Sequence, residues 1–395
     1  MKYKVLITLL VTLSLFLNSC GSSSGSSSNT ATFEQENKTF LHNLFLSEYL
    51  WYDQVASNID YSQYTTPQMM IDDLRIMPPD QWSFSMTAQE YEDFANQSTS
   101  GFGFGYTPDL IIFLVRIDSP AYGNLLRGDK ILEINSKAAT QALIIEASNN
   151  VGHETVFTVL RGAQELEVRV TSSLYSFKVA LGKVITKGSK NIAYLRYDAF
   201  TESSVSEFEA IFSTFKSANV SELVIDMRYN GGGSISTASA LLDNISNVYA
   251  GERQVYLDWN ANYKDNNSNY YFEDADMQDG NELSMKRVIF LVTHDSASSS
   301  ELVISALKPY LGNANVVTIG SETHGKPVGM SGRIDGSYYY FLVNFYVRNN
   351  VDETTSFYGI PATCSAGDDL SYSLGDTNEA MLSTALYYIS HNACP

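Results

Sequence analysis

Residues 175–395 alternate short apolar runs with stretches of helical periodicity, and this alternation constrains the fold more than any other feature of the sequence. The apolar runs predict strands at 192–195, 223–225, 287–292, 316–319 and 338–343. Helices are predicted at 205–215, 236–245, 299–311 and 379–389. Strands that alternate with helices in this way pack as a layered α/β domain with buried strands.

A cluster of small residues, 293–301, joins the strand-like run 287–292 to the helix-like run that follows it. At such a junction a serine hydroxyl can lie at a helix N-terminus. There, free backbone N–H groups and the helix dipole favour a developing oxyanion. Serine-rich helix caps are common, so the cluster alone is weak evidence for a nucleophile.

Two other stretches contain groups that a serine nucleophile needs. Residues 226–233 end in a run of three glycines, whose backbone can point N–H groups into a site without obstruction by side chains. Lys326 follows Gly325 just after the strand-like run 316–319. Burial would lower the pKa of that lysine and make it a usable base. A plain turn and a solvated loop lysine are the alternatives, and His294 or His324 is the rival base.

Residues 100–174 have a different character. The loop Gly101, Phe102, Gly103 and Phe104 precedes a strand-like run, and 126–135 contains a Leu-Arg-Gly-Asp-x-Ile-x-x-Ile-Asn pattern. A glycine-rich loop can also hold phosphate, but no lysine or strand–loop–helix pattern accompanies this one. The order resembles a circularly permuted PDZ domain of the bacterial type. The resemblance implies that the loop binds the C-terminal carboxylate of a peptide that adds a strand to the sheet edge.

The N-terminus is predicted to be a targeting segment. Residues 1–19 combine two lysines with an apolar run and end next to Cys20, a pattern that resembles a bacterial lipobox with Cys20 as the lipidated residue. An ordinary signal peptide with an incidental cysteine is the alternative. Residues 20–32 form a Ser/Gly-rich tether, and 33–97 are predicted to be a helical region. The membrane is thus expected to be contacted through the lipid anchor only.

Composition excludes several function classes. The net charge of −19 argues against nucleic acid as a partner. No Cys or His pattern has metal-ligand spacing, so neither a metal nor another cofactor is expected. In an oxidising exported compartment Cys364 and Cys394 are expected to form a disulfide, with two free buried thiols as the alternative.

Taken together, residues 100–390 resemble the tail-specific, or C-terminal processing, serine peptidases, whose wider family includes the tricorn core protease. The Asp-Leu-Arg-x-Asn-x-Gly-Gly pattern falls on 226–233 and the Ser-Ala-Ser-Ala-Ser-Glu pattern on 296–301. The resemblance implies Ser298 as the nucleophile and Lys326 as its base. It implies Gly232 and Ser299 as the oxyanion donors, with Gly233 as the rival to Gly232. It also implies an α+β / α/β multidomain chain, in which 175–395 are a catalytic domain of the ClpP/crotonase-like type.

Several positions depart from the family pattern: Met227 replaces Leu, Ser299 replaces the second Ala, and Pro327 replaces the glycine that often follows the lysine. Members with a Ser-Lys-Gln arrangement carry Gln four residues after the lysine, where this chain has Met330. Thr323 or Ser331 are the candidate substitutes, and Glu301 is a candidate supporting residue one turn after Ser298.

The sequence therefore predicts a lipid-anchored serine endopeptidase of the cell envelope, placed in the outer membrane and facing the periplasm or the cell surface. Its partners would be polypeptide substrates recognised by their C-terminal tails. The N-terminal region is predicted either to cap the catalytic domain or to mediate homodimerisation. The alternative function is a non-catalytic envelope lipoprotein that binds peptides or other ligands, or that acts as an assembly scaffold through the PDZ region.

Overall fold

The computed structural model describes residues 32–395. The predicted signal peptide, Cys20 and residues 20–31 of the predicted tether lie outside the described residues. The helices are α1 (Gln35–Ser47), α2 (Pro67–Leu74), α3 (Ala88–Ala95), α4 (Gln141–Asn149), α5 (Ser204–Ser217), α6 (Ile235–Ile245), α7 (Ser299–Leu311) and α8 (Ala380–His391). None of the helices between residues 32 and 395 has the length and apolar character needed to cross a bilayer.

The strands form several sheets. In chain order they are β1 (Phe84–Thr87), β2 (Ser98–Gly101), β3 (Phe104–Tyr106), β4 (Ile112–Val115), β5 (Lys130–Ile134), β6 (Lys137–Ala138), β7 (Glu154–Arg161), β8 (Gln164–Thr171), β9 (Ser173–Ser176), β10 (Ala180–Lys187), β11 (Lys190–Tyr197), β12 (Glu222–Asp226), β13 (Arg253–Trp259), β14 (Ser268–Tyr271), β15 (Val288–Val292), β16 (Val316–Gly320), β17 (Val328–Asp335), β18 (Tyr338–Asn349) and β19 (Cys364–Ser365).

The main sheet has six strands in the order β10-β11-β12-β15-β16-β19. All neighbours pair in parallel except β10 with β11. Successive residues of a strand point to opposite faces, so each face needs its own apolar cover. Ala193 and Leu195 pack against α5, α6 and α7, whereas Ile192 and Tyr194 pack against α8. The predicted α/β layer therefore has helices on both faces.

A second, antiparallel sheet connects the N-terminal region to the main domain. Its order is β1-β18-β13-β14, with β17 also paired to β18. Side chains of α1 and α2, such as Phe45 and Ile71, form one buried cluster with Tyr340 and Leu342 of β18. Residues 33–97 are thus not only helical, as predicted, because β1 joins this sheet.

Residues 98–176 form a body of their own. It contains the four-stranded sheet β6-β5-β7-β8, the pairs β2-β9 and β3-β4, and α4. Its core includes Phe102, Ile131, Ile144 and Phe157. The first and last strands of this body, β2 and β9, pair with each other in antiparallel fashion, so its two chain ends lie side by side.

The C-terminal helix is joined covalently to the sheet. Cys364 on β19 and Cys394 after α8 form a disulfide with an S–S distance of 2.05 Å, which is the pairing that the sequence favoured over two free thiols.

Candidate active site

Three loops leave the same edge of the main sheet. Because β12, β15 and β16 run parallel, their carboxyl ends lie together. The loops that follow them are 227–234, 293–298 and 321–327. Open α/β sheets bind their ligands at this edge. The three stretches that the sequence singled out therefore meet in one place.

The serines of the cluster differ from one another in the acceptor to which each hydroxyl donates its proton. Ser296 Oγ donates to the carbonyl of Met227 at 2.8 Å. Ser299 Oγ donates to Gly233 at 2.8 Å, and Ser300 Oγ to Asn230 at 2.9 Å. These bonds fasten the serine turn to the loop 227–234. Within residues 32–395, no acceptor is recorded for the hydroxyl proton of Ser298, so this serine alone of the four remains available as a nucleophile.

The backbone of Ser298 adopts an uncommon conformation. Its φ of 56° and ψ of −114° place a non-glycine residue at positive φ, immediately before α7. Such strain persists only where the surrounding structure holds it, and it is frequent at active sites. Here the strained turn places Ser298 at the N-terminus of α7.

Glu301 links the nucleophile segment to the lysine segment. Its side chain is fully buried. One carboxylate oxygen, Oε2, accepts the N–H groups of Ser298 at 3.0 Å and Lys326 at 2.9 Å. The other, Oε1, accepts the Thr323 hydroxyl at 2.5 Å and the Gly325 N–H at 2.8 Å. One buried carboxylate thus joins the two segments and sets the spacing between them.

Lys326 lies in the environment that the base hypothesis requires. Burial lowers the pKa of its ammonium to about 8, against the opposing charges of Asp80 and Glu301. Ser298 and Lys326 line one open cleft with about 290 Å³ of empty space, together with Ile235, Leu302 and Val347. In the described part of the chain no direct hydrogen bond joins the two side chains. Catalytic hydrogen bonds are often long before substrate binds.

Met330 is the side chain in contact with the lysine amine. Lys326 Nζ lies 3.9 Å from Met330 Sδ. A thioether is only a weak acceptor. Of the two predicted substitutes, Thr323 donates its hydroxyl to Glu301, whereas Ser331 has no recorded hydroxyl partner within residues 32–395 and donates only its backbone N–H, to Asn344 Oδ1 at 2.6 Å.

The glycine loop packs directly on the serine turn. A Cβ atom on Gly232, whose φ is 107°, would lie 2.7 Å from Ser298 Cβ. The Gly232 N–H, however, donates to Asn230 Oδ1 at 2.9 Å. No acceptor within residues 32–395 is recorded for the Gly233 N–H. The first N–H of a helix, here that of Ser299, has no partner within the helix. These contacts favour Gly233 over Gly232 as the partner of Ser299.

A buried ion-pair network holds the glycine loop in place. The guanidinium of Arg228, only 1% exposed, pairs with Asp226 and with Glu379 at 2.9 Å each, and with Asp368 at 2.6 Å. Sequence reasoning missed the roles of Glu379 and Asp368, because they lie more than a hundred residues along the chain and no local pattern marks them.

The two candidate histidines lie beside this arrangement. Their rings pack on each other, with centroids 5.0 Å apart. Burial, followed by the charges of His294 and Lys326, lowers the pKa of His324 to about 4. Neither ring lines the cleft that contains Ser298 and Lys326.

The predicted peptide loop lies in the middle body. Phe102 is buried, and its ring packs against Phe157 with centroids 5.0 Å apart. Strand β3, which begins at Phe104, pairs only with β4 among the described strands. As for metals, no group of three or more His, Cys, Asp or Glu side chains in residues 32–395 is arranged to hold an ion.

Comparison with known proteins agrees with this geometry. The model of peptidase family S41 matches residues 191–380. A carboxy-terminal-processing protease from Bartonella bacilliformis is 25% identical over 287 residues, which cover 66% of this chain and 62% of that protein. This chain thus matches less than two thirds of that relative's length.

The fold also resembles a solved structure. A Bacteroides fragilis protein assigned to the S41 proteases superposes with a TM-score of 0.79 and 22% identity, covering 90% of this chain and 97% of that one. At this identity the likeness concerns the mixed α/β fold alone. The residues that match the S41 family model, 191–380, contain the glycine loop, the serine turn and Lys326, so this part of the chain is similar to the peptidases of family S41.

Proposed function

We propose that this protein is a serine endopeptidase in which Ser298 is the nucleophile and Lys326 the general base. The observation that supports this most is that Ser298, whose hydroxyl proton has no recorded acceptor within residues 32–395, lines one cleft with the half-buried Lys326, while the three neighbouring serines donate to backbone carbonyls. A serine nucleophile requires such a base and a set of oxyanion donors.

The chemistry follows from these positions. Neutral Lys326 takes the proton of Ser298 as the hydroxyl attacks the scissile carbonyl. The N–H groups of Ser299 and Gly233 stabilise the oxyanion at the positive end of α7. Lys326 then returns the proton to the leaving amine, and water hydrolyses the acyl-enzyme. With a pKa of about 8, about a tenth of the amine is neutral at pH 7, far more than for a solvated lysine.

We further propose that residues 98–176 are a PDZ domain that selects substrates by their C-terminal tails. The unpaired edge of β3 offers backbone groups for an added strand, and the loop 101–104 precedes that edge. Replacing Gly103 by a bulkier residue should weaken binding of a tail peptide, because a Cβ there would lie 2.2 Å from Ser119 Cβ.

The proposed location is the cell envelope, with the chain held by a lipid on Cys20. Growth with a clickable fatty acid would test this. Label is expected on the chain and absent after Cys20→Ala. Equal labelling of both would remove the anchor from the proposal.

The central test is cleavage of an unfolded protein with an apolar C-terminal tail, with fragments read by mass spectrometry. Wild type should cleave, while Ser298→Ala and Lys326→Ala should not. The rival is a non-catalytic peptide-binding protein, which the weak acceptor Met330 beside Lys326 favours. Tail binding without cleavage between pH 6 and 10 would establish that rival.

A further inference from the structure

A buried carboxylate of the N-terminal region lies near the proposed base. Asp80 is fully buried. Its Oδ2 accepts the hydroxyls of Tyr49 at 2.8 Å and Ser83 at 2.6 Å. Its Oδ1 accepts the N–H groups of Trp82 at 2.9 Å and Ser83 at 3.0 Å. All four partners donate, which is the arrangement that suits a negatively charged carboxylate.

Direct contacts fix this carboxylate relative to Lys326. The Ser83 hydroxyl that donates to Asp80 also accepts the N–H of Val343 at 3.1 Å. Val343 on β18 is the cross-strand partner of Met330 on β17. Met330 Sδ in turn lies 3.9 Å from Lys326 Nζ. The loop containing Asp80 therefore packs behind the strand that contacts the amine.

A second contact joins the same loop to the segment before the lysine. The Trp82 ring lies 6.4 Å from that of His324, and it stacks on Phe357 at 5.9 Å. The backbone of Phe357 in turn approaches Gly325, where an added Cβ would lie 2.4 Å from the Phe357 carbonyl oxygen. Residues 80–83 thus touch both sides of the lysine segment.

We propose that Asp80 is a positioning residue for Lys326. The negative charge of Asp80 stabilises the ammonium that forms when Lys326 takes the proton of Ser298. The inference rests on the proposed function. It adds that the N-terminal region, which lies outside residues 191–380, completes the active site.

Three other titratable groups lie near Lys326. Glu301 is the second carboxylate that acts on the amine, and like Asp80 it accepts four hydrogen bonds, here from donors of the serine and lysine segments. His324, two residues before the lysine, is kept neutral by a pKa of about 4, and His294 packs on its ring. Burial dominates the pKa of Lys326, and Asp80 opposes it more than Glu301 does.

The direction in which the pKa of Lys326 changes without the Asp80 charge follows from the opposing effects of burial and nearby carboxylates. Removing the negative charge of Asp80 leaves burial less opposed, so the ammonium becomes harder to form and the pKa of Lys326 falls. Asp80→Asn keeps the size of the side chain and an oxygen for the N–H groups of Trp82 and Ser83. The hydroxyls of Tyr49 and Ser83 can rotate to accept from the new amide.

The experiment titrates Lys326 directly in the purified protein, by NMR of ¹³Cε-labelled lysine, with Lys326→Arg to assign its signal. In Asp80→Asn the pKa of Lys326 should fall by about one unit, as expected for loss of a nearby opposite charge. The acid limb of kcat/KM should move by the same amount, and kcat should fall at its plateau. Asp73→Asn is the matched control, because Asp73 accepts a tyrosine hydroxyl, that of Tyr64, in the same region. It should leave the pKa of Lys326 unchanged.

An unchanged pKa in a folded Asp80→Asn variant would overturn the inference. If that variant does not fold, Tyr49→Phe serves instead, because it keeps the charge and removes one donor. The pKa of Lys326 should then stay or rise, and a fall would contradict the proposal. A pKa shift in a protein that cleaves nothing would support the electrostatic role and count against the peptidase, so the two failures are distinguishable.

Discussion

At the scale of single residues, the site is defined by which polar groups are already satisfied. Ser296, Ser299 and Ser300 are chemically equivalent to Ser298, yet each donates its proton to the loop 227–234. Sequence reasoning chose Ser298 by its distance from Glu301 in the family pattern. The structure adds a physical reason, because hydrogen bonds hold the other three hydroxyls in structural roles.

The lowered pKa of Lys326 predicts how kcat/KM depends on pH. Because burial lowers the pKa of Lys326 to about 8, its neutral form dominates above that pH and is lost below it. The kcat/KM for a peptide substrate should therefore rise tenfold per pH unit up to about pH 8 and then level off. Lys326→Arg, which stays charged, should lose activity by at least about 10³-fold. An acid limb near pH 4 would instead indicate His324.

The four hydrogen bonds accepted by Glu301 predict that Glu301→Gln lowers both stability and kcat. Glu301→Gln places an amide donor among four donors, so at least one of them loses its acceptor. We expect unfolding free energy to fall by roughly 1–3 kcal/mol and kcat to fall about 10²-fold as the segments lose their spacing. Glu322→Gln, an exposed change in the neighbouring loop, is the control. Wild-type kcat in Glu301→Gln would show that the carboxylate does not set the geometry.

At the scale of elements, apolar periodicity predicted the four central strands of the main sheet, but not its edge strands β10 and β19. The strands β11, β12, β15 and β16 and the helices between them lie where the pattern placed them, because buried parallel strands are continuous apolar runs. Strand β17 was missed, since it contains two glycines and polar residues and is held by pairing with β18. Strand β1 was missed for a similar reason: its partner lies more than 250 residues away.

The close approach of the glycine loop to the serine turn predicts that an alanine at Gly232 lowers activity, and the neighbouring Gly231 provides the control. Gly232→Ala puts a Cβ atom 2.7 Å from Ser298 Cβ at a φ of 107°, so the loop and the serine turn must separate. Activity should fall by about 10²-fold or more, as expected for a misplaced nucleophile. Gly231→Ala meets nothing within 4 Å and should leave activity close to that of wild type. Similar losses in both variants would argue against this close approach. Circular dichroism and melting temperature would separate unfolding from a local effect.

At the scale of the whole molecule, the site draws on residues that no local pattern connects. The loops at the edge of the parallel sheet could be predicted, and with them Ser298, Lys326 and the glycines. Asp80, Asp368 and Glu379 could not, because their relevance depends on how distant segments pack. The disulfide could be anticipated only because two cysteines remain once Cys20 is set aside.

The disulfide is expected to stabilise the folded protein against unfolding. Cys364 and Cys394 close a loop with a sequence separation of 30. On the chain-entropy model its loss should lower the free energy of unfolding by about 3–4 kcal/mol. Urea denaturation of wild type with and without reductant, beside the Cys364→Ser/Cys394→Ser double variant, would measure it. If reductant destabilises the double variant as much as wild type, the effect has another cause.

The ion pair between Arg228 and Glu379 also sets an order of events. The glycine loop comes early in residues 191–380, and Asp226 beside it pairs with its buried guanidinium, but the second fully buried carboxylate, that of Glu379, comes only at the start of α8. An arginine buried without that carboxylate is costly, so the loop has little reason to settle before then. A growing chain would thus lack the complete pairing of Arg228, and with it a settled glycine loop for the proposed oxyanion site, until residue 379 has been synthesised.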